Sequence, residues 1–198
     1  MPPRPRVGAV TGQDVRVDHA PAELVTGRRV TLRRRRPSDS AEMHRVVTEA
    51  LAHLAPWMVW ATDDCDLASA QANGLHSEEA WECRTAFVYA IEVCATIVGA
   101  CELRPVRVEA MELGYWLHPA YTGRGLATEA AGLLVAQAFT LPGVTSVEIW
   151  HDAANTASSG VPRRLGFTEV ARQTPPREPL TPGEVGVDVV WRLTLPGA

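Results

Sequence analysis

The chain contains no lysine: all nineteen of its basic residues are arginine. That excludes both the lysine of a phosphate-binding P-loop and the lysine of a Schiff-base enzyme. Cysteine is sparse, and the four present (Cys65, Cys83, Cys94, Cys101) form no C-x-x-C pair and have no histidine at zinc-finger spacing. H-E-x-x-H is also missing, so no metal site is expected, and the thiols read as reduced residues of a cytoplasmic protein. No apolar run approaches the roughly 18 residues of a membrane span. The opening Met-Pro-Pro-Arg-Pro-Arg leads into polar residues rather than the apolar centre of a leader, so neither a signal peptide nor a membrane partner is expected.

What is present is an ordinary globular composition. The 198 residues are 46% hydrophobic and 21% charged, enough for one well-buried core. A net charge of −4 disfavours a polyanion-binding surface and hence a nucleic-acid partner. Arg33 to Arg36 form a local basic run, readable either as a nucleic-acid patch or as solvated arginines at a strand–helix junction. Residues 1–22, rich in Pro, Arg and Gly without periodicity, are expected to form a loosely ordered arm, and residues 23–198 one domain.

Within the domain, strand patterns fall at Arg29–Arg35, Ala86–Val93, Ile97–Leu103, Met111–Leu117, Val144–Trp150, Phe167–Arg172 and Gly186–Leu195. A tight hairpin is expected around Ala95-Thr96. Helices are expected over Ala41–Leu54, Leu67–Glu82, Leu126–Phe139 and Asn155–Leu165. Pro162 should distort the last of these unless it lies in the first turn. The fold class is therefore α/β, a mixed sheet flanked by helices on both faces.

The segment Glu112-Leu-Gly-Tyr-Trp-Leu-His-Pro-Ala-Tyr-Thr-Gly-Arg-Gly-Leu-Ala-Thr-Glu129 carries the chemistry. A strand enters a turn containing Gly123 and Gly125, and the turn opens an alanine-rich helix. Such a turn aims backbone N–H groups at one point beside the positive end of a helix dipole, which is a seat for phosphate. Two glycines could equally be mere punctuation, and the spacing fits neither G-x-x-x-x-G-K-[ST] nor G-x-G-x-x-G.

Thr122-Gly-Arg-Gly-Leu-Ala127 resembles the Q/R-x-x-G-x-G/A acyl-CoA signature of the GNAT superfamily of N-acetyltransferases, departing from it at Thr122. A second segment, Asn155-Thr-Ala-Ser158-Ser-Gly-Val-Pro-Arg-Arg164-Leu-Gly166-Phe167, is similar to the family's later signature. Glu112-Leu-Gly-Tyr-Trp-Leu-His-Pro119, the Ala-Thr-Glu-Ala after the turn, and His53-Leu-Ala-Pro-Trp-Met-Val-Trp60 look like the RimJ/RimL-type branch. The resemblance runs from about residue 28 to the C-terminus.

The resemblance implies a single-domain GNAT-type fold: a mixed, mostly antiparallel twisted sheet with splayed central strands. It implies acetyl-CoA as cosubstrate, with the pyrophosphate on the amides of Gly123, Arg124, Gly125, Leu126, Ala127 and Thr128. The pantetheine would run beside Leu117 and Asn155. Thr128 would add a hydroxyl and Arg124 a cation, or Arg124 would remain solvated. Glu112 is the candidate base, or else a surface glutamate on a sheet face with a water chain as the base. Many members place a tyrosine acid seven residues after the motif asparagine, but here that position is Pro162. Ser158 takes over as the candidate donor to the leaving thiolate, or is simply a first-turn helix residue. Asn155 reads as a helix cap, as a pantetheine ligand, or as both. Trp57, Met58 and Trp60 read as core, or as the wall of the acceptor cleft, with the proline-rich loop 175–183 facing them.

The resulting expectation is a cytoplasmic acetyl-CoA-dependent N-acetyltransferase working by direct attack in a ternary complex. Its acceptor would be a protein or peptide N-terminus, or alternatively a small amine or antibiotic. Members of this branch often pair, so a homodimer is one expected state. The rival of another class is a non-catalytic acyl-CoA sensor or interaction module, which would bind CoA without turnover.

Overall fold

The structure, a computed structural model, describes residues 15–195. Twelve regular elements follow one another: β1 (Leu24–Thr26), β2 (Thr31–Arg34), α1 (Ser40–Leu54), α2 (Leu67–Glu82), β3 (Phe87–Val93), β4 (Thr96–Arg107), β5 (Ala110–Leu117), α3 (Leu126–Ala138), β6 (Ser146–Asp152), α4 (Thr156–Arg164), β7 (Thr168–Arg172) and β8 (Asp188–Thr194). The strands form one eight-stranded sheet in the order β1-β2-β3-β4-β5-β6-β8-β7. Every pairing is antiparallel except β5 with β6, whose connection is helix α3.

Alternation along the strands divides the core in two. Cys101, Leu103, Leu113 and Leu117 turn toward α3, where Ala130, Ala131 and Ala138 present so little side chain that the helix lies close on the sheet. Ala90 and Ala100 turn the other way, toward Met43, Val46 and Val47 of α1. Burying the Leu, Val and Met side chains of this set stabilises each by about 1.5–3 kcal/mol relative to exposure, and this fixes which face of each strand is which.

The expected elements are present with ends shifted by a few residues. The β3–β4 turn is Cys94-Ala95, one residue earlier than expected. Both have positive φ (49° and 60°), and Val93 pairs Thr96 across them, the two-residue geometry that matches strand twist. β4 continues through Pro105, because a register irregularity between Pro105 and Arg107 absorbs the missing donor. β1 escapes sequence reading because three residues show no period.

Of the expected N-terminal arm, residues 1–14 lie outside the described residues. Residues 15–22 lie along the body: Val17 is buried with the α3-side core, and the Tyr89 hydroxyl donates to the Ala22 carbonyl (2.7 Å). The Arg33–Arg36 run is neither a free basic patch nor a solvated junction. Arg33 pairs with Asp39 and Glu92, Arg34 with Glu23 and Glu82, and Arg36 with Glu23. Arg35 is buried and donates to Asn73, Ser77 and the Ala70 carbonyl.

Candidate active site

β5 ends at Leu117 and the chain enters a single 3-10 turn, Pro119–Tyr121, closed by the Thr122 hydroxyl donating to the Pro119 carbonyl (2.8 Å). Gly123 (φ 70°) and Gly125 (φ 76°) then take the left-handed conformation that reverses the backbone into α3. The intrahelical ladder begins only with the Glu129 amide donating to the Gly125 carbonyl (3.1 Å). The amides of Leu126, Ala127 and Thr128 have no acceptor among the described residues. They point out of the helix start, where a pyrophosphate would satisfy them.

The carbonyls of this turn are held by a residue the sequence reading did not single out. Arg29 donates to the carbonyls of Arg124 (2.7 Å) and Gly125 (3.4 Å) while pairing with Glu129 (2.8 Å). It braces the outside of the turn and leaves the amides free. Burial acts to raise the Glu129 carboxyl, but hydrogen bonds from the Arg29 backbone and guanidinium outweigh it and hold the group below its ordinary range. Arg164 donates to the Thr128 hydroxyl (3.0 Å), leaving that hydroxyl's own proton for a ligand. The Arg124 guanidinium lies over the Tyr121 ring at 5.6 Å.

β5 and β6 pair only over Ala110–Glu112 and Ser146–Glu148. Beyond Glu112 they diverge, so Leu113 to Leu117 have no β6 partner and an extended ligand could pair there as an added strand. A cavity of about 290 Å³ opens at this splay. Its lining includes Glu112, Asn155, Ser158, Trp57, Met58 and Trp60, six of the residues singled out from the sequence. Leu117 is buried at the end of β5, directly before the glycine turn.

Glu112 is part-buried, and its carboxylate accepts from Arg104 of the neighbouring strand (3.1 Å). A second glutamate, Glu102, stands one step further along the same cavity face. Its cross-strand neighbour is Gly114, just past the splay.

Asn155 caps α4, accepting from the Ser158 amide (3.1 Å). Pro162 lies in the interior of α4, and the helix runs through it to Arg164. Because Pro162 has no N–H, the Ser158 carbonyl loses its intrahelical donor. The Tyr115 hydroxyl of β5 replaces it at 3.0 Å and lies 3.2 Å from Ser158 Oγ. Burial pushes the Tyr115 phenol up to about 12, against the hydrogen bond to Ser158, so it stays protonated and donating at neutral pH.

Trp57, Met58 and Trp60 form one wall, with Trp60 tilted against Trp116 of β5 (5.8 Å between ring centres). The loop 175–183 docks just before them: the Thr181 hydroxyl and the Gly183 amide both donate to the Pro56 carbonyl (2.6 and 3.1 Å). No residue of that loop lines the cavity. Among the described residues no group of three or more His, Cys, Asp or Glu side chains is placed to hold a metal ion, and no helix is long and apolar enough to cross a membrane.

A family model described as an acetyltransferase (GNAT) domain matches residues 29–168. A curated protein of Bacillus subtilis (strain 168), "Putative ribosomal N-acetyltransferase YdaF", is 26% identical over 71% of this chain and 78% of its own length. Among solved structures, RimL, a ribosomal L7/L12 α-N-protein acetyltransferase in complex with coenzyme A, superposes with a TM-score of 0.81 at 17% identity, over 89% of this chain and all (100%) of its own. The microcin C7 self-immunity acetyltransferase MccE, in complex with acetyl-CoA and AMP, superposes with a TM-score of 0.78 at 17% identity, over 85% of this chain and 94% of its own. Both likenesses are of fold.

Proposed function

This chain belongs to the GNAT family of acetyltransferases, and from that premise we propose that it moves the acetyl group of acetyl-CoA onto the α-amine of a protein or peptide N-terminus, in the cytoplasm. Residues 23–198 would form the catalytic domain. The observation that carries the choice of acceptor is the chemistry of the cavity wall. Trp57, Met58, Trp60, Trp116, Met43 and Val47 make it apolar and aromatic, while Arg35 and Arg104 place positive charge beside the glutamates. Such a cleft suits one ammonium at the tip of an amphipathic chain. A small polycation would instead need several unshared carboxylates.

In this reading the free amides of Leu126 to Thr128 and the Thr128 hydroxyl hold the pyrophosphate, and the open edge of β5 up to Leu117 holds the pantetheine. Asn155 fixes the start of α4 so that Ser158 Oγ faces the splay. The reaction needs two protons removed from the acceptor nitrogen. One leaves the ammonium before the lone pair attacks the thioester carbonyl carbon. The second is lost as the amide forms. The C–S bond breaks with its electron pair on sulfur, and the thiolate takes up a proton. Ser158 stabilises that thiolate by hydrogen bonding, with its carbonyl anchored by Tyr115. An α-amine, with a reference pKa of about 8 against roughly 10.4 for a lysine side chain, needs the less help from a base.

Thiol release from acetyl-CoA over peptides with free N-termini, aminoglycosides and polyamines tests the assignment. Turnover on the peptides is expected. Turnover confined to the small amines would replace this reading with a small-molecule acetyltransferase, and coenzyme A binding without turnover on either set would replace it with a sensor.

A further inference from the structure

Resting on the reading that an amine attacks acetyl-CoA at the β5–β6 splay, we propose that Glu102 is the carboxylate that takes the first proton from the acceptor ammonium, and that Glu112 positions it through Arg104. The register of β4 and β5 sets this out. Ala100 lies opposite Trp116, Glu102 opposite Gly114, and Arg104 opposite Glu112, so these six residues share the cavity face of the sheet. Glu112 is the last β5 residue paired to β6, and its carboxylate is directed at Arg104. Taking up a proton there would break an ion pair. Gly114 is already in the splayed region, and a side chain built on it would meet nothing within 4 Å. The space over Glu102 is therefore open toward the point where the β5 edge becomes free.

The Glu102 carboxylate also makes no hydrogen bond or ion pair to another described residue. Burial raises its carboxyl above the ordinary glutamate range, and the neighbouring Glu112 raises it further, against the lowering influence of Arg104 and of His76 from α2. The other titratable or charged groups lining the cavity are Arg35 after β2, His44 of α1, Cys65 and Asp66 ahead of α2, Cys101 of β4, Tyr115 of β5 and His151 of β6. Asp66 is occupied as the α2 cap, accepting from the Ser69 amide (2.7 Å). A carboxylate made more basic in this way is better matched to an ammonium proton than an ordinary one. The proton passes from the ammonium nitrogen to a Glu102 oxygen. The nitrogen lone pair then forms the C–N bond, the C–S bond breaks onto sulfur, the second nitrogen proton is passed to that thiolate, and Glu102 returns its own proton to water after product leaves.

The test compares the unaltered chain with Glu102→Gln, Glu102→Asp and Glu112→Gln, by thiol release on the peptide panel from about pH 5 to 9. Glu102→Gln is expected to lower kcat about 10²-fold or more at neutral pH and to abolish the rising limb of its pH profile. Glu102→Asp should keep the limb, and Glu112→Gln should keep it with a displaced midpoint. Coenzyme A affinity should be unchanged in all of them.

A second readout does not need turnover. A carboxyl raised in the folded state opposes folding once ionised, so Glu102→Gln should raise Tm by a few degrees at neutral pH and not at all near pH 4. The proposal is overturned if Glu102→Gln leaves kcat within about threefold, if it raises KM alone, if Glu112→Gln removes the limb, or if the Tm difference is absent at neutral pH. An unaltered chain silent on every amine would contradict the acetyltransfer reading. A full rate in Glu102→Gln on an accepted peptide would contradict only the role of Glu102.

Discussion

At the scale of single residues, Ser158 and Tyr115 act as a pair. Pro162 stands where a tyrosine acid is common in the superfamily, and it also strips the Ser158 carbonyl of its helical donor; the Tyr115 hydroxyl repairs that loss. Tyr115→Phe should leave the part-buried Ser158 carbonyl without its donor and cost about 1 kcal/mol, read as a lower urea midpoint at unchanged slope. Ser158→Ala should leave stability nearly unaltered and lower kcat about 10²-fold, with little effect on KM for acetyl-CoA. Equal kcat in the two proteins would remove Ser158 from the mechanism. The motif spacing made Ser158 and Asn155 legible in the sequence. Tyr115 was not, because it stands 43 residues from its partner and only the sheet register brings the two together.

At the scale of elements, the glycine turn and α3 form one unit whose amides face outward and whose carbonyls Arg29 holds. Gly125→Ala would force a β-carbon into the left-handed conformation at φ 76° and bring it 3.3 Å from Arg29 Nη2. Backbone strain of about 1–3 kcal/mol is expected, with coenzyme A binding weakened about tenfold by calorimetry as the brace is displaced. Gly123→Ala carries the same kind of strain but meets nothing within 4 Å, so it should weaken binding less. Equal losses would show that Arg29 does not brace the turn. The turn was readable from its glycines and the alanine-rich run after them. Arg29 was not, because in sequence it is only the first residue of a strand pattern, and the fold alone brings it to a turn 95 residues away. Pro105 hid the end of β4 for a related reason: a proline marks a strand end in sequence, while a local shift in register lets the strand pass it.

At the scale of the whole molecule, the absence of lysine leaves arginine to make the ion pairs, and many of these tie together elements far apart in the chain. Arg107 and Arg192 converge on buried Glu148, which also accepts from Trp150 Nε1. Burial alone would raise the Glu148 carboxyl, but the hydrogen bonds from Arg107, Arg192 and Trp150 outweigh it and hold the group below the ordinary glutamate range. A depressed carboxyl contributes stability that is present above its unfolded pKa and lost as pH falls through the folded value. Glu148→Gln should therefore destabilise by about 2 kcal/mol near neutral pH, less than the roughly 3–5 of a fully buried pair because both guanidiniums remain hydrated. The difference should shrink as pH drops below about 4. Thermal unfolding of the two proteins at both pH values checks this, and a constant difference would contradict it. Apart from β1, the order of helices and strands was legible because each carries its own period. The pairing of arginines with carboxylates was not, since charge alone does not say which partner a fold supplies.

The central claim is that the nitrogen acetylated is the α-amine of a chain terminus. The most direct measurement offers one peptide with both a free N-terminus and a lysine side chain, supplies acetyl-CoA, and locates the acetyl group by fragmentation mass spectrometry. The account predicts acetyl on the α-nitrogen and none on the lysine. Acetyl on the lysine side chain, or an unmodified peptide beside an acetylated polyamine in the same mixture, would contradict it.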